Sequence, residues 1–178
     1  MEYVSGFCDL SPLRELKNLR SAYFENLRRV IDFSGLGGIA SLRYLCINGT
    51  LDWDQPIVDF EFLKGLCGLE VLKLTWIKCK APYPALLPLA ALKNLKKISL
   101  YLYAFAMEEY ALAQLICEGV EGAQMPLAVE FKDTGYVYFL GRGSGYTKIG
   151  AKNELKRRAE FEQKFEACKQ KAREILNL

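Results

Sequence analysis

Residues 60–74, FEFLKGLCGLEVLKL, place an apolar side chain at every third position and then close with a step of two. Steps of three keep side chains on one face of an α-helical or 3₁₀ turn. A step of two keeps them on one face of a strand. The stretch therefore predicts a short helical turn that runs into a short strand.

The same spacing recurs in residues 10–24, 33–47 and 86–100, so that successive copies start 23, 27 and 26 residues apart. One copy cannot bury its apolar stripe alone. Copies stacked side by side bury it between them and align their strands in a parallel sheet. The repeat thus predicts an α/β fold with a parallel sheet and a continuous core behind it.

The segments 42–47, 69–74 and 95–100 match the LxxLxL part of a known repeat motif. In this respect residues 10–103 resemble the leucine-rich-repeat proteins, of an irregular bacterial type. The resemblance implies a short leucine-rich-repeat solenoid, and it implies that the strands line a concave face used for binding.

The chain departs from that family at the ninth motif position. The family has an Asn there that hydrogen-bonds the neighbouring turn, whereas this chain has Leu27, Thr50, Ile77 and Tyr103. We therefore expect irregular turns that satisfy their own backbone groups.

The pattern changes after the fourth copy. Residues 107–118 are rich in Ala, Leu, Glu and Gln and predict a helix that ends at Gly119. Residues 126–131 suggest a fifth, edge strand. Strand-like segments at 136–140 and 146–149 flank the glycine-rich residues 141–145, which predicts a hairpin that caps the end of the solenoid.

A long amphipathic helix is predicted from Asn153, with one apolar stripe at Phe161, Phe165, Cys168, Ala172 and Ile175. Such a helix would be about 36 Å long, longer than a four-stranded sheet is wide, about 15–20 Å. Its stripe could pack on the hairpin or form a homodimer with a second subunit. Residues 1–125 are then the solenoid with an N-terminal cap, and residues 126–178 are the C-terminal hairpin and helix.

Composition argues against catalysis. The chain contains no histidine, which excludes Ser-His-Asp and Cys-His chemistry and a Cys/His zinc site. Its six cysteines are widely spaced, which indicates that most of them are buried or half-buried thiols in a reducing, cytoplasmic compartment. The N-terminal segment lacks the pattern of a signal peptide, and no apolar stretch is long enough to cross a membrane. We expect no enzyme activity, no cofactor and no metal.

Asp52, Asp54, Asp59 and Glu61 cluster after the second strand. Paired carboxylates can hydrolyse glycosides or hold a hard cation. Their spacing does not match a calcium loop, so a solvated acidic loop is expected. Trp53, between two aspartates, is a candidate contact for a basic partner.

The basic residues concentrate near the C-terminus. Residues 140–178 contain ten Lys or Arg and five Glu, a net charge of +5, which leaves −2 for the rest of the chain. The densest group is Arg142, Lys148, Lys152, Lys156, Arg157 and Arg158, with Tyr136, Tyr138 and Tyr146 nearby. These residues could contact phosphates and stack on bases, so a nucleic-acid-associated protein is the second interpretation.

In a strand the residues between the core positions point to the opposite face of the sheet. The resemblance makes these residues the candidate binding surface: Ser21, Tyr23, Glu25, Tyr44, Cys46, Asn48, Val71, Lys73, Thr75, Lys97, Ser99 and Tyr101. Cys46 is accordingly expected to be accessible to solvent. The first functional interpretation is a non-catalytic module, such as an immunity or adaptor protein, whose partner is another protein.

Overall fold

The computed structural model describes residues 1–3 and 6–178 and has a mixed α/β fold. In chain order the elements are β1 (Ser21–Glu25), β2 (Tyr44–Asn48), β3 (Gln55–Ile57), β4 (Val71–Thr75), β5 (Ile77–Cys79), β6 (Lys97–Leu100), α1 (Met107–Ile116), β7 (Ala128–Phe131), β8 (Tyr136–Phe139), β9 (Tyr146–Lys148) and α2 (Glu154–Leu176).

A four-stranded parallel sheet with the order β1-β2-β4-β6 dominates the structure. A 3₁₀ helix precedes each of its strands, at Ser11–Glu15, Ser34–Leu36, Glu61–Gly65 and Leu87–Ala91. The last two apolar positions of each copy, which are two residues apart, lie in register across the sheet. The earlier position is occupied by Ala22, Leu45, Leu72 and Ile98, and the later position by Phe24, Ile47, Leu74 and Leu100. The parallel sheet and its strands, predicted from the apolar spacing, are confirmed.

The core lies behind this sheet. Every apolar repeat position in residues 33–47, 60–74 and 86–100 is buried. The first copy packs less completely, since Leu16 is 50% exposed. That copy is stacked on one side only, so part of its stripe faces solvent.

The turn after β1 is held by Gln55, which is buried in β3. The Gln55 Oε1 accepts the Leu27 N–H at 2.9 Å, and its Nε2 donates to the Val30 carbonyl at 2.7 Å. β3 also pairs in parallel with β5, forming a small second sheet. A glutamine from the next turn therefore satisfies the backbone around Leu27.

The predicted C-terminal hairpin is confirmed, with β8 and β9 pairing antiparallel around residues 140–145. Residues 126–131, expected to form a fifth, edge strand, contain β7, but this strand pairs antiparallel with β8 and does not join the four-stranded sheet. The parallel sheet is instead met at β6 by Glu121, whose carbonyl accepts the Ile98 N–H at 2.9 Å. Glu121 thus occupies the edge that a fifth strand would have used.

The two helices pack on one another. The Phe161 ring stacks on Phe139 of β8 with centroids 4.9 Å apart. Phe161, Phe165, Cys168 and Ala172 are buried within the chain, whereas the last stripe residue, Ile175, is 36% exposed. The buried part of the stripe therefore packs within the chain, against α1 and the hairpin. A homodimer through the C-terminal helix stays a prediction. Within the described residues, no helix is both long and apolar enough to span a bilayer.

Candidate functional site

The predicted binding residues lie together on the side of the parallel sheet away from the core. Strands β1, β4 and β6 alternate buried core positions with more exposed ones. Ser21 and Tyr23 are exposed, Cys46 is buried, and the others are half-buried. We call this surface the outer face; it comprises Ser21, Tyr23, Glu25, Tyr44, Cys46, Asn48, Val71, Lys73, Thr75, Lys97, Ser99 and Tyr101.

The expectation that Cys46 is accessible to solvent was wrong, since it is only 4% exposed. It pairs with Tyr23 on one side and Lys73 on the other, both with larger side chains. The Lys73 ammonium also lies 5.7 Å from the centroid of the Tyr44 ring. Burial raises the pKa of the Cys46 thiol, which makes it a poor nucleophile.

The other cysteines divide between core and surface. Cys117 and Cys168 are buried and Cys79 is half-buried, as expected, whereas Cys8 and Cys67 are exposed.

Cross-strand hydrogen bonds fix the polar end of the outer face. Glu25, Asn48 and Thr75 occupy the same row of three neighbouring strands. The Asn48 Nδ2 donates to Glu25 Oε2 at 2.8 Å, and the Thr75 hydroxyl donates to Asn48 Oδ1 at 2.6 Å. The Tyr23 hydroxyl donates to the same Glu25 oxygen. These bonds form a continuous polar ladder across the sheet.

The ladder also sets the charge at this end. Hydrogen bonds from Tyr23 and Asn48 lower the pKa of the Glu25 carboxyl, so it is ionised at neutral pH. The same bond to Glu25, together with partial burial, raises the pKa of Tyr23 to about 12. The Tyr23 hydroxyl therefore stays protonated as a donor to Glu25.

At the β6 edge of the sheet, the polar ladder is followed by a row of aromatic side chains that begins with Tyr101, beside Thr75. The Tyr101 ring is 4.1 Å from Trp76 and 5.9 Å from Tyr103, centroid to centroid. Tyr103 is 6.2 Å from Tyr138 of the hairpin, which is 5.5 Å from Tyr146. We call this row the aromatic ribbon; it comprises Trp76, Tyr101, Tyr103, Tyr138, Tyr136 and Tyr146.

Two members of the ribbon are unusual. Trp76 has a φ of 50°, a left-handed conformation that is rare for a bulky residue and that turns the chain from β4 into β5. The Tyr103 hydroxyl is buried and has no hydrogen-bond partner among the described residues. Burial raises the pKa of Tyr103 to about 12, so this hydroxyl keeps its proton.

Sequence reasoning found the ribbon only in pieces. The sequence predicts Tyr101 on the outer face and groups the tyrosines of β8 and β9 with the basic residues between Arg142 and Arg158, here called the basic tail. Tyr103 lies two residues beyond Tyr101, so strand alternation predicts an outward direction for it. Trp76 directly follows the outward Thr75, so alternation predicts the opposite direction, and its left-handed φ breaks the pattern. The docking of the hairpin that joins the pieces was not visible in the spacing.

The structure divides the predicted basic cluster. The Arg142 guanidinium donates to the backbone carbonyls of Ala104 at 2.6 Å, Ile77 at 3.3 Å and Tyr103 at 3.4 Å. Arg158 forms ion pairs with Glu130 at 2.6 Å and Glu154 at 2.8 Å. These cations hold the chain together and do not form one exposed patch.

Two of the acidic residues that follow the second strand, Asp59 and Glu61, make contacts within the chain. The Asp59 carboxylate accepts the Glu61 N–H at 2.9 Å, and Glu61 pairs with Lys64 at 2.5 Å. The Arg28 guanidinium lies over the Trp53 ring, with its central carbon 5.0 Å from the centroid of that ring. In the part of the chain that the structure describes, no group of three or more His, Cys, Asp or Glu residues is placed to hold a metal ion.

Comparison of the chain with protein-family models, with curated proteins and with solved structures finds no match. The outer face and the aromatic ribbon are therefore the features from which a function can be argued.

Proposed function

We propose that the four helix–strand copies form a leucine-rich-repeat solenoid whose outer face binds another protein without performing chemistry. The partner would be held by residues of β1, β2, β4 and β6 together, as by an adaptor or an immunity protein that blocks one cognate target. The register of these strands supports this proposal, because eleven of the twelve side chains stand in rows on one sheet and Tyr101 directly follows β6.

The observation that carries the proposal is the polar ladder on the outer face. Glu25, Asn48 and Thr75 are already hydrogen-bonded to one another, so their side chains are ordered before any partner arrives. Immobilising a flexible side chain on binding costs about 0.5–1.5 kcal/mol. A surface whose polar groups are ordered in advance avoids much of that cost.

The chemistry of the outer face suits a protein partner. Tyr23, Tyr44 and Tyr101 offer large apolar rings with a polar tip, and tyrosine is over-represented at interface hot spots. Two of the charged groups are already paired, Glu25 within the ladder and Lys97 with Glu121. The face therefore offers few free cations to a phosphate backbone.

Affinity capture from a lysate of the native host tests the proposal. The bait is the wild-type protein beside the triple variant Tyr23→Ala/Tyr44→Ala/Tyr101→Ala, with the double variant Tyr3→Ala/Tyr83→Ala as the control. Tyr3 and Tyr83 are 64% and 37% exposed and lie outside the outer face. Circular dichroism confirms that each bait is folded.

We expect one protein to be retained by the wild type and by the control, and lost from the triple variant. Retention of the same protein by the folded triple variant would contradict the proposal. Recovery of nucleic acid alone, released by salt, would favour the basic tail instead. Lys148 and Lys152 are exposed and make no ion pair within the described residues, so they are the cations to replace in that case.

A further inference from the structure

We infer that a cleft between the hairpin and the two helices binds a small phosphate monoester. The cleft has a volume of about 370 Å³, and its walls are the start of α1, the tip of the hairpin and the middle of α2. It lies apart from the outer face, so the inference goes beyond the proposed recognition of another protein. We call it the anion cleft; it is defined by Met107, Glu108, Arg142, Ser144, Phe161 and Lys164.

A second cation reaches this region from α2. A smaller cleft of about 120 Å³ shares Ser144, Phe161 and Lys164 with the anion cleft, so the two adjoin, and Arg157 lines the smaller one. Arg157, Phe161 and Lys164 follow one another at steps of four and three residues on α2. Side chains at these steps lie on one face of a helix. Both cations of that face are therefore directed at the adjoining clefts.

The two α2 cations at the clefts have no carboxylate partner. Lys156, Arg158 and Arg173 of the same helix each form an ion pair, whereas Arg157 and Lys164 form none within the described residues. A cation that is paired within the chain has little to offer a ligand. The unpaired cations of α2 that line the clefts are free to bind an anion.

The hairpin holds two guanidinium groups beside the clefts. The central carbon of the Arg157 guanidinium lies 5.9 Å from the centroid of the Phe139 ring. Arg142 donates from Nε and Nη2 to backbone carbonyls, which leaves its Nη1 without an acceptor in the described chain. Both groups are thus in position before a ligand arrives, and Arg142 keeps a free donor.

The balance of charge favours a dianion. Glu108 lines the anion cleft and makes no ion pair within the described residues, whereas Glu160 of the smaller cleft is paired with Lys156 at 3.9 Å. Three cations, Arg142, Arg157 and Lys164, thus face one unpaired carboxylate. A phosphate monoester carries about 1.5 to 2 negative charges at neutral pH. Each phosphate of a nucleic-acid backbone carries only one.

The apolar wall of the cleft favours an ester over inorganic phosphate. Met107 is half-buried and Phe161 is 8% exposed, so both contribute apolar surface beside the cations. The volume of about 370 Å³ is many times the roughly 30 Å³ that one water molecule takes up in the liquid. An organic group on the phosphate therefore has room in the cleft and covers apolar surface there.

Calorimetric titration of the full chain tests the inference. The probe is phenyl phosphate, and three other ligands are compared with it: inorganic phosphate, benzenesulfonate, and a short oligothymidylate without a terminal phosphate. The variant is Arg157→Ala/Lys164→Ala. Its control, Lys132→Ala/Lys171→Ala, removes the same charge at two exposed positions that line neither cleft.

We expect saturable binding of phenyl phosphate, weakened at least about tenfold in the double variant because two charged donors are lost, and unchanged in the control. Inorganic phosphate lacks the apolar group and benzenesulfonate carries a single charge, so both should bind more weakly. The inference is overturned by an absence of binding, by equal affinity of the double variant and its control, or by a comparison ligand that binds as tightly as phenyl phosphate.

The carboxylate of the cleft gives a second readout. Glu108→Gln should tighten the binding of phenyl phosphate about 2- to 5-fold, because the repulsion of one carboxylate is removed. Glu174→Gln, at an exposed position outside both clefts, should leave the affinity unchanged. Unchanged or weaker binding by Glu108→Gln would contradict the place given to the ligand.

The inference and the proposed function fail separately. Tyr23→Ala/Tyr44→Ala alters the outer face alone and should bind phenyl phosphate as the wild type does. Loss of phenyl phosphate binding in that variant would place the anion on the outer face and overturn the inference.

Discussion

The buried carboxylate of Glu109 in α1 shows how one residue supports a loop that has no regular structure. Its two oxygens accept the backbone N–H groups of Ala85 at 2.7 Å and Leu86 at 2.9 Å. Burial raises its pKa above the ordinary value of 4.5, although the two backbone hydrogen bonds act in the opposite direction. The folded protein therefore holds this proton to a higher pH than the unfolded chain does.

This raised pKa predicts a pH dependence of stability. The contribution of Glu109 is fully present below pH 4.5, the ordinary pKa, and is lost as the pH rises through the higher pKa of the folded state. Relative to Glu109→Gln, which does not titrate, the wild type should therefore lose unfolding free energy as the pH rises from 4.5 through the raised pKa of the folded state. Denaturant unfolding of both proteins across that range measures the difference.

The neighbouring Glu108→Gln, at a half-buried position, is the control for that experiment. A difference between wild type and Glu109→Gln that stays flat or grows as the pH rises would contradict the burial effect.

The direction of a single side chain could be predicted from the sequence wherever apolar residues alternate along a strand. The alternation in β4 placed Leu72 and Leu74 inward and Lys73 outward, and the structure agrees. The role of Gln55 was not predictable, because its partners Leu27 and Val30 lie more than twenty residues away. Cys46 was misjudged for a related reason, since the large neighbours that bury it come from other strands.

At the scale of elements, the hairpin is attached to the parallel part of the chain through Arg142. Its guanidinium binds the carbonyl of Ile77 in β5 and those of Tyr103 and Ala104 beyond β6. Two backbone bonds accompany it, from Gly141 N to Leu102 O at 3.0 Å and from Arg142 N to Phe105 O at 2.6 Å. This attachment places Tyr138 against Tyr103 and so completes the aromatic ribbon.

Replacing Arg142 should loosen this attachment. Arg142→Ala is expected to lower the unfolding free energy by about 1–3 kcal/mol, because three carbonyls lose a charged donor. Arg142→Lys should recover part of the loss. Lys148→Ala, on the same hairpin, should have little effect. Hydrogen exchange would check the location, with faster exchange expected in β8 and β9.

Equal stability of Arg142→Ala and Lys148→Ala would show that Arg142 is a solvated tail residue, as the nucleic-acid interpretation requires.

The helices and strands themselves were largely predictable, because each strand carries its own apolar spacing and a glycine-rich turn joins the two strands of the hairpin. The sheet to which β7 belongs could not be predicted, since residues 126–131 carry no signal that distinguishes a parallel neighbour from an antiparallel one.

At the scale of the whole molecule, one hydrophobic core connects the repeats to the C-terminal helix. Its buried residues include Leu74 of β4, Ala111 of α1 and Phe165 of α2. The division of the chain at residues 125 and 126 stays a prediction. The length of α2 suggested an overhang, but its stripe is covered because α1 and the hairpin lie between α2 and the repeats.

Phe165→Ala tests this packing. Phe165 is 2% exposed, so its truncation should cost about 3–5 kcal/mol of unfolding free energy. The sedimentation coefficient and its concentration dependence should stay as in the wild type, since this side chain lies within one chain. Ala167→Ser, at an exposed position of α2, is the control. Dissociation of a wild-type dimer by Phe165→Ala would contradict the packing described here.

The ribbon shows the limit of prediction at this scale. It joins Trp76 after β4, two tyrosines after β6 and the tyrosines of the hairpin. Each of these segments can be predicted from the sequence. The contact between them depends on how the hairpin packs against the rest of the chain, which the local spacing of residues does not determine.

The most direct test of the central claim, that the outer face is the binding surface, is hydroxyl-radical footprinting of the complex with the captured partner. We expect Tyr23, Tyr44 and Tyr101 to be protected, while Tyr83 and the exposed Leu155 of α2 are labelled as in the free protein. Unchanged labelling of the outer face, with protection around Lys148 and Lys152, would contradict the account and place recognition on the basic tail.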